Sequence, residues 1–215
     1  MKALKILLVF LVLLVNLVVA KPSLADRPQF TKSNEYQQVT QALNDILKIQ
    51  SDPNQTEYKP EQLQQKIGGL QLQKYILETA RNWSLCSNQT GSTLAVYAHK
   101  PKKSFFPNAN ESTLFYLADG EVTDDEWNCD GVYLPAGAKV DGLVAGDPQG
   151  QELAEPLALK LVPGSQLIAT TNPDTGAIEL NIPPIQVFKA GETSWQVPTL
   201  SQADIDATSP DAPVD

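Results

Sequence analysis

The sequence predicts an α+β protein in which two N-terminal amphipathic helices pack on a mainly antiparallel β-sheet, a meander, with one disulfide. Three observations predict this fold. Apolar residues recur at helical spacing over residues 35–81, they alternate with polar residues in short runs over 92–198, and two cysteines follow an export leader. A chain of 215 residues is long enough for one such domain.

The first 25 residues have the organisation of a signal peptide. Lys2 and Lys5 form a positive region, an apolar run over residues 6–20 follows, and Ser-Leu-Ala at 23–25 is a small-residue cleavage signature. Because a bilayer core needs about 20 apolar residues, the run is short for a permanent span. We therefore expect cleavage after residue 25, with an uncleaved membrane anchor as the alternative. The expected location is extracytoplasmic: secreted, periplasmic or in a thylakoid lumen.

Two helices are predicted over residues 35–50 and from residue 60 to about 81. The first has an apolar stripe formed by Val39, Leu43, Ile46 and Leu47. Asn34 is a residue type that caps helices, and Pro60 suits the first position of the second helix. Gly68-Gly69 lies inside the second pattern, where each glycine costs about 1 kcal/mol relative to alanine. We expect a break or a close helix approach at that pair.

The β-rich part follows. Short strands are predicted at 94–98 and 114–118. Three further alternating runs are separated by Pro-Gly and Asn-Pro-Asp-Thr-Gly turn sequences: 157–161, 166–171 and 178–182. These three runs predict an antiparallel meander with one wet face.

Two domain boundaries follow from these patterns. Residues 26–200 are expected to form a single α+β domain. Residues 201–215 contain four aspartates, two prolines and no base, which predicts a disordered acidic tail.

Composition excludes several classes of function. The chain has 25 acidic and 16 basic residues and a net charge of −9. Such a chain binds phosphate backbones poorly, so no nucleic acid partner is expected. One histidine and two cysteines exclude zinc fingers and iron–sulfur clusters. No G-x-S-x-G sequence or complete P-loop occurs, and no cofactor is expected except calcium.

The two cysteines predict a disulfide. Cys86 and Cys129 are the only cysteines of a chain with an export leader. Closing a loop of that length removes denatured-state entropy worth about 4 kcal/mol in the chain-entropy model. Two buried free thiols are the alternative.

The first candidate site is an acidic block between residues 119 and 130. Its six members are Asp119, Glu121, Asp124, Asp125, Glu126 and Asp130. Calcium takes six to eight oxygen ligands, but Cys129 stands where an EF-hand needs its turn glycine. The alternatives are a solvated acidic loop, a calcium site and an acidic docking face for a basic partner.

The second candidate site is a basic loop that ends in paired aromatic residues. Its members are His99, Lys100, Lys102, Lys103, Phe105 and Phe106. Long loops are often functional, and this one offers contacts to an anionic headgroup, a sugar acid or a partner protein. The alternative is that both phenylalanines fold onto the core while the lysines face water.

The expected function is that of an exported, non-catalytic binding or accessory domain with an acidic face. Its expected partner is a protein in an extracytoplasmic compartment, with the membrane contacted only through an uncleaved leader. One alternative is a carboxylate-dependent hydrolase of glycans or cell wall, with Glu121 or Glu126 as general acid and Asp124 or Asp130 as its partner. The other alternative is a calcium-stabilised extracytoplasmic domain.

Overall fold

The computed structural model describes residues 29–51, 58–101, 112–141, 143, 150–192 and 195–214. Two N-terminal helices pack with two five-stranded sheets, one mixed and one antiparallel, and a disulfide joins Cys86 to Cys129. The α+β class and the disulfide are therefore confirmed. The predicted signal peptide and its cleavage site lie outside the described residues. Within those residues, no helix has the length and apolar character that a membrane span requires.

Both predicted helices are present. Helix α1 is Asn34–Ser51 and helix α2 is Pro60–Thr79, with Pro60 in the first turn as expected. The cap of α1 is Ser33, not Asn34, because the Ser33 hydroxyl accepts the backbone N–H of Tyr36 at 3.1 Å. A 3-10 turn, Phe30–Lys32, precedes it.

Helix α2 runs through the Gly68-Gly69 pair without a break. A Cβ atom at either glycine would meet nothing within 4 Å among the described residues, so no close helix approach occurs there. The expectation of a break was wrong because packing outweighs the low helix propensity of glycine: Leu63 and Ile67, which precede the glycine pair, are buried against Ile46 of α1.

The antiparallel sheet has the strand order β10-β7-β4-β2-β3. Its strands are β2 (Leu94–His99), β3 (Thr113–Leu117), β4 (Asn128–Leu134), β7 (Leu157–Lys160) and β10 (Gln186–Lys189). The mixed sheet has the order β1-β8-β9-β5-β6. Its strands are β1 (Leu85–Gln89), β5 (Lys139–Asp141), β6 (Gln151–Glu152), β8 (Gln166–Thr171) and β9 (Ile178–Leu180).

The meander prediction was wrong in one of its three strands. Strands β8 and β9 form the expected antiparallel hairpin, but β7 joins the other sheet between β4 and β10. The reason is burial on both faces: Leu159 packs into the core between the sheets, and Ala158 is equally buried on the opposite side. Strand β7 therefore has no wet face.

The two sheets face each other as a sandwich. Val96, Val132 and Leu159 of the antiparallel sheet share one core with Val140 and Leu167 of the mixed sheet. The disulfide crosses this core, because Cys86 lies on β1 and Cys129 on β4, with Cα atoms 5.9 Å apart. Strand β1 lies before residue 92, where the sequence predicted the β-rich region to begin.

The C-terminal segment is ordered over residues 195–214, so the predicted disordered tail was wrong. Helix α3 (Gln202–Ala207) begins with Ser201 as its cap. Ile205 is 1% exposed and packs on the outer face of the antiparallel sheet with Tyr97 and Tyr133. Apolar residues at 195, 197, 200 and 205 thus provide the contacts that the acidic composition concealed.

The last residues of this segment bind edge strand β3 and the segment between β3 and β4. The Asp211 carboxylate accepts the backbone N–H of Tyr116 on edge strand β3 at 2.8 Å. The Asp124 N–H donates to the Pro213 carbonyl at 2.9 Å, and Thr123 and Val214 form a β-bridge. These bonds satisfy backbone groups that an open edge would leave unpaired.

Candidate functional site

The two ends of the sandwich are built differently. At the end where β1 and β8 begin, which we call the closed end, the helical hairpin covers the sheets. Phe30, Leu77 and Val162 form a shared cluster there, and Trp83 meets Phe30 edge-on with ring centroids 6.1 Å apart. At the opposite, open end, turns between strands surround a groove.

A polar network lies at the closed end, around Asp130. One carboxylate oxygen, Oδ2, lies 2.5 Å from His99 Nδ1 and accepts the Ser112 hydroxyl at 2.7 Å. The other, Oδ1, accepts the side-chain amide of Asn128 at 2.7 Å, and Asn128 in turn accepts the N–H of Ser84. The network thus joins one residue of the acidic block to one of the basic loop.

The network contains the residue types of a nucleophilic triad in a different arrangement. In a triad, the imidazole lies between the hydroxyl and the carboxylate and removes the proton from the nucleophile. Here Ser112 and His99 both contact the same oxygen of Asp130, so the carboxylate lies between them. The arrangement holds strands β2, β3 and β4 in register at their closed-end termini.

Three acids of the acidic block accept backbone N–H groups, two of them within a local turn and one from the β1–β2 turn. Asp119 accepts the N–H of Gly91 at 2.8 Å, and Glu121 accepts the N–H of Ala118 at 3.2 Å. Asp124 accepts the N–H of the residue two positions later at 2.6 Å. Because these carboxylates bind backbone groups, they do not favour the hydrolase hypothesis, in which they would carry the reaction.

The remaining acids do not converge with these three. Glu126 binds Lys100 in an ion pair of 2.8 Å on the surface, which raises the pKa of Lys100, and Asp125 is exposed. Asp119 lies at the open end and Asp130 at the closed end. Across the part of the chain that the structure describes, no group of three or more His, Cys, Asp or Glu residues is placed to hold a metal ion.

The basic loop is only partly described. His99 and Lys100 each have an acidic partner, as given above. Lys102, Lys103, Phe105 and Phe106 lie outside the described residues.

The groove at the open end has a volume of about 520 Å³. It lies where the β1–β2, β4–β5 and β8–β9 turns meet, and Leu94 and Ile178 of the sandwich core line it together with side chains from those turns. Gly137 and Gly176 have φ of 81° and 69°, backbone that favours glycine and allows these tight turns. Fourteen residues line the groove: Thr90, Ser92, Thr93, Leu94, Pro135, Ala136, Gly137, Ala138, Lys139, Thr171, Thr175, Gly176, Ile178 and Gln202.

Several polar side chains of the groove fix its walls. The Thr171 hydroxyl donates to the Thr90 carbonyl at 2.8 Å and so ties two turns together. Gln202 of α3 donates to the Thr93 carbonyl at 3.0 Å. The C-terminal segment therefore forms one wall of the groove.

No family model, curated protein or solved structure matches this chain.

The groove has no recognisable motif in the sequence. Its hydroxyl-bearing residues come from two turns, at 90–93 and 171–175, which are 81 residues apart between Thr90 and Thr171, and each turn sequence alone has no distinctive signal. The turn at 172–176 was predicted, but only strand order brings it next to the turns at 90–93 and 135–139.

Proposed function

We propose that this chain is an exported, non-catalytic binding domain that holds a small polar ligand in the groove at the open end of its sandwich. The observation that carries the proposal is the groove itself. Its volume of about 520 Å³ falls within the range of small-molecule sites, about 300–1,000 Å³. Turns that a rigid sheet scaffold holds in place are common positions for binding residues.

Two further observations support binding over catalysis and export over a cytosolic location. The network with hydroxyl, imidazole and carboxylate groups lies at the closed end, away from the groove, and its order differs from that of a catalytic triad. The disulfide is of the kind that persists in oxidising compartments.

The test is a ligand screen by NMR on the ¹⁵N-labelled protein. The library contains neutral sugars, sugar acids, amino acids and short peptides. We expect at least one class to shift the backbone amides of residues 90–94, 136–139 and 171–178, and to leave those around Asp130 unchanged. Shifts confined to the closed end, or no shift from any class, would contradict the proposal.

A second candidate function, docking of a basic partner on the acidic face, is favoured by the position of the C-terminal segment. The Pro213 carbonyl accepts the backbone N–H of Asp124, which is followed in the sequence by the exposed Asp125 and Glu126. Cross-linking in the native compartment should recover a partner that the Asp124→Asn, Asp125→Asn, Glu126→Gln variant loses. The matched control changes three exposed acids elsewhere: Asp45, Glu61 and Asp174. Equal recovery by both variants would remove this candidate.

A further inference from the structure

The charge of the groove differs from that of the chain as a whole. Acidic residues outnumber basic ones by 25 to 16, yet none of the fourteen lining residues is acidic and one, Lys139, is basic. Two acids beside the groove are bound by backbone N–H groups: Asp206 accepts the N–H of Thr93 at 3.2 Å, and Asp119 accepts that of Gly91. The groove therefore offers a cation with no acid among its walls.

Lys139 is available for a ligand. It lies opposite Glu152 in the β5–β6 pair, yet no ion pair joins them or joins Lys139 to any other described residue. Its side chain is exposed. An ammonium group of this kind forms its strongest hydrogen bonds with a carboxylate or another anion.

Two hydroxyl groups of the groove are available as well. Thr90, Thr171 and Gln202 already donate hydrogen bonds to protein groups. In contrast, neither Ser92 Oγ nor Thr93 Oγ1 bonds to any described group, although the backbone of both residues is fixed. Each hydroxyl both donates and accepts, which suits the hydroxyl groups of a sugar.

We propose that the groove takes a sugar acid, such as the uronate unit of an acidic oligosaccharide, with Lys139 binding its carboxylate and Ser92 and Thr93 binding its hydroxyl groups. This inference rests on the proposed function and names the ligand class of the same site. No aromatic side chain lines the groove, so recognition depends on charge and hydrogen bonds. A purely neutral sugar would leave Lys139 unused, and a simple carboxylate would leave the two hydroxyls unused.

The test compares ligands that differ in one group. Digalacturonate carries the carboxylates and the hydroxyls, its dimethyl ester keeps the hydroxyls without the charge, and acetate is a carboxylate alone. A Glu-Glu dipeptide represents acidic peptides. We expect digalacturonate to shift the groove amides and to bind about tenfold or more tightly than the other three, with an affinity that falls as salt is added.

Variants assign the contacts. Lys139→Met should weaken digalacturonate binding about tenfold and abolish its advantage over the ester, whereas Lys139→Arg keeps the charge and should retain most of the affinity. Ser92→Ala should weaken binding of the acid and the ester alike. Lys48→Met, on the exposed surface of α1, is the matched control and should change nothing. The three positions, Lys48, Ser92 and Lys139, are exposed, so circular dichroism should show unchanged folding of all four variants.

The outcomes separate this inference from the proposed function. Equal binding of digalacturonate and its dimethyl ester, or an unchanged affinity in Lys139→Met, overturns the sugar-acid inference. If the groove amides still shift in either case, the proposed binding function stands. Tighter binding of Glu-Glu, or acetate binding as tight as digalacturonate, overturns it as well. The absence of groove shifts with these probes and with every class of the screen overturns both.

Discussion

The closed end and the open end of the sandwich are formed by the same strands, but they are finished by different parts of the chain. At the closed end, the helical hairpin supplies apolar side chains and Asp130 joins three strands through side-chain hydrogen bonds. At the open end, turns leave a groove with an available ammonium group. The difference indicates that stability is concentrated at the end that the helices cover, which leaves the other end available for binding.

The largest expected effect concerns the disulfide, which lies towards the closed end. Replacing Cys86 and Cys129 by alanine should lower the free energy of unfolding by about 4 kcal/mol, because the unfolded chain regains the entropy of an open loop. Urea denaturation measures the change. Below the transition, groove amides should keep their chemical shifts; altered groove shifts in the folded variant would show that the two ends are coupled.

The next effect concerns the C-terminal segment. Ile205→Ala should cost about 3 kcal/mol, since it creates a cavity in a fully buried cluster. Because Gln202 on the same short helix binds the Thr93 carbonyl, the groove amides should also broaden or shift. Thermal unfolding and NMR measure the two effects, and Val187→Ala, at a 37% exposed position, is the control. If Ile205→Ala lost much stability but left the groove amides unchanged, α3 would not determine the structure of the open end.

Asp130 should give a smaller effect. Asp130→Ala removes the acceptor of the Ser112 and Asn128 bonds and should cost about 2 kcal/mol, while Asp130→Asn should cost less. The control, Asp125→Ala, is exposed and should change the unfolding free energy by no more than about 0.5 kcal/mol. If Asp130→Ala and Asp125→Ala changed the free energy of unfolding equally, the network would not stabilise the closed end.

The smallest effect concerns the ion pair between α1 and β7. Burial of the Glu35 carboxylate raises its pKa, but the hydrogen bond and charge of Lys160 outweigh burial, and the net result is a pKa below the usual 4.5. A lowered folded-state pKa gives stability above the unfolded pKa, which is lost as pH falls through the folded value. Glu35→Gln should therefore destabilise the protein by less than about 1 kcal/mol at pH 7. The difference in unfolding free energy between Glu35→Gln and the unchanged protein should vanish in acid. If it persisted there, lost packing rather than lost charge would explain the effect.

Local patterns were sufficient for part of this fold. The helical stripes predicted α1 and α2 within one or two residues, and the Asn172–Gly176 turn predicted the β8–β9 hairpin. They failed where burial depends on distant partners. Ala158 was assigned to a wet face, yet the C-terminal segment covers it, and that segment had itself been predicted to be disordered.

The candidate sites show the same limit. Carboxylates grouped along the sequence spread over both ends, because consecutive turns of a sandwich lie at opposite ends. His99 and Asp130 belonged to separate predicted sites and form one pair, since β2 and β4 are neighbours in the sheet. The groove gave no local signal, because single hydroxyl residues in turns are common in any surface.

The sequence by itself determined the helices, the β-rich region, the pairing of its only two cysteines and the excess of acid. Each depends on periodicity or composition, which are local or additive properties. Only the tertiary structure decided which sheet each strand joins, which sheet face residues 195–214 pack against and which turns surround the groove. These features depend on contacts between residues far apart in the chain, and the free energy of such contacts is set by the whole packed arrangement.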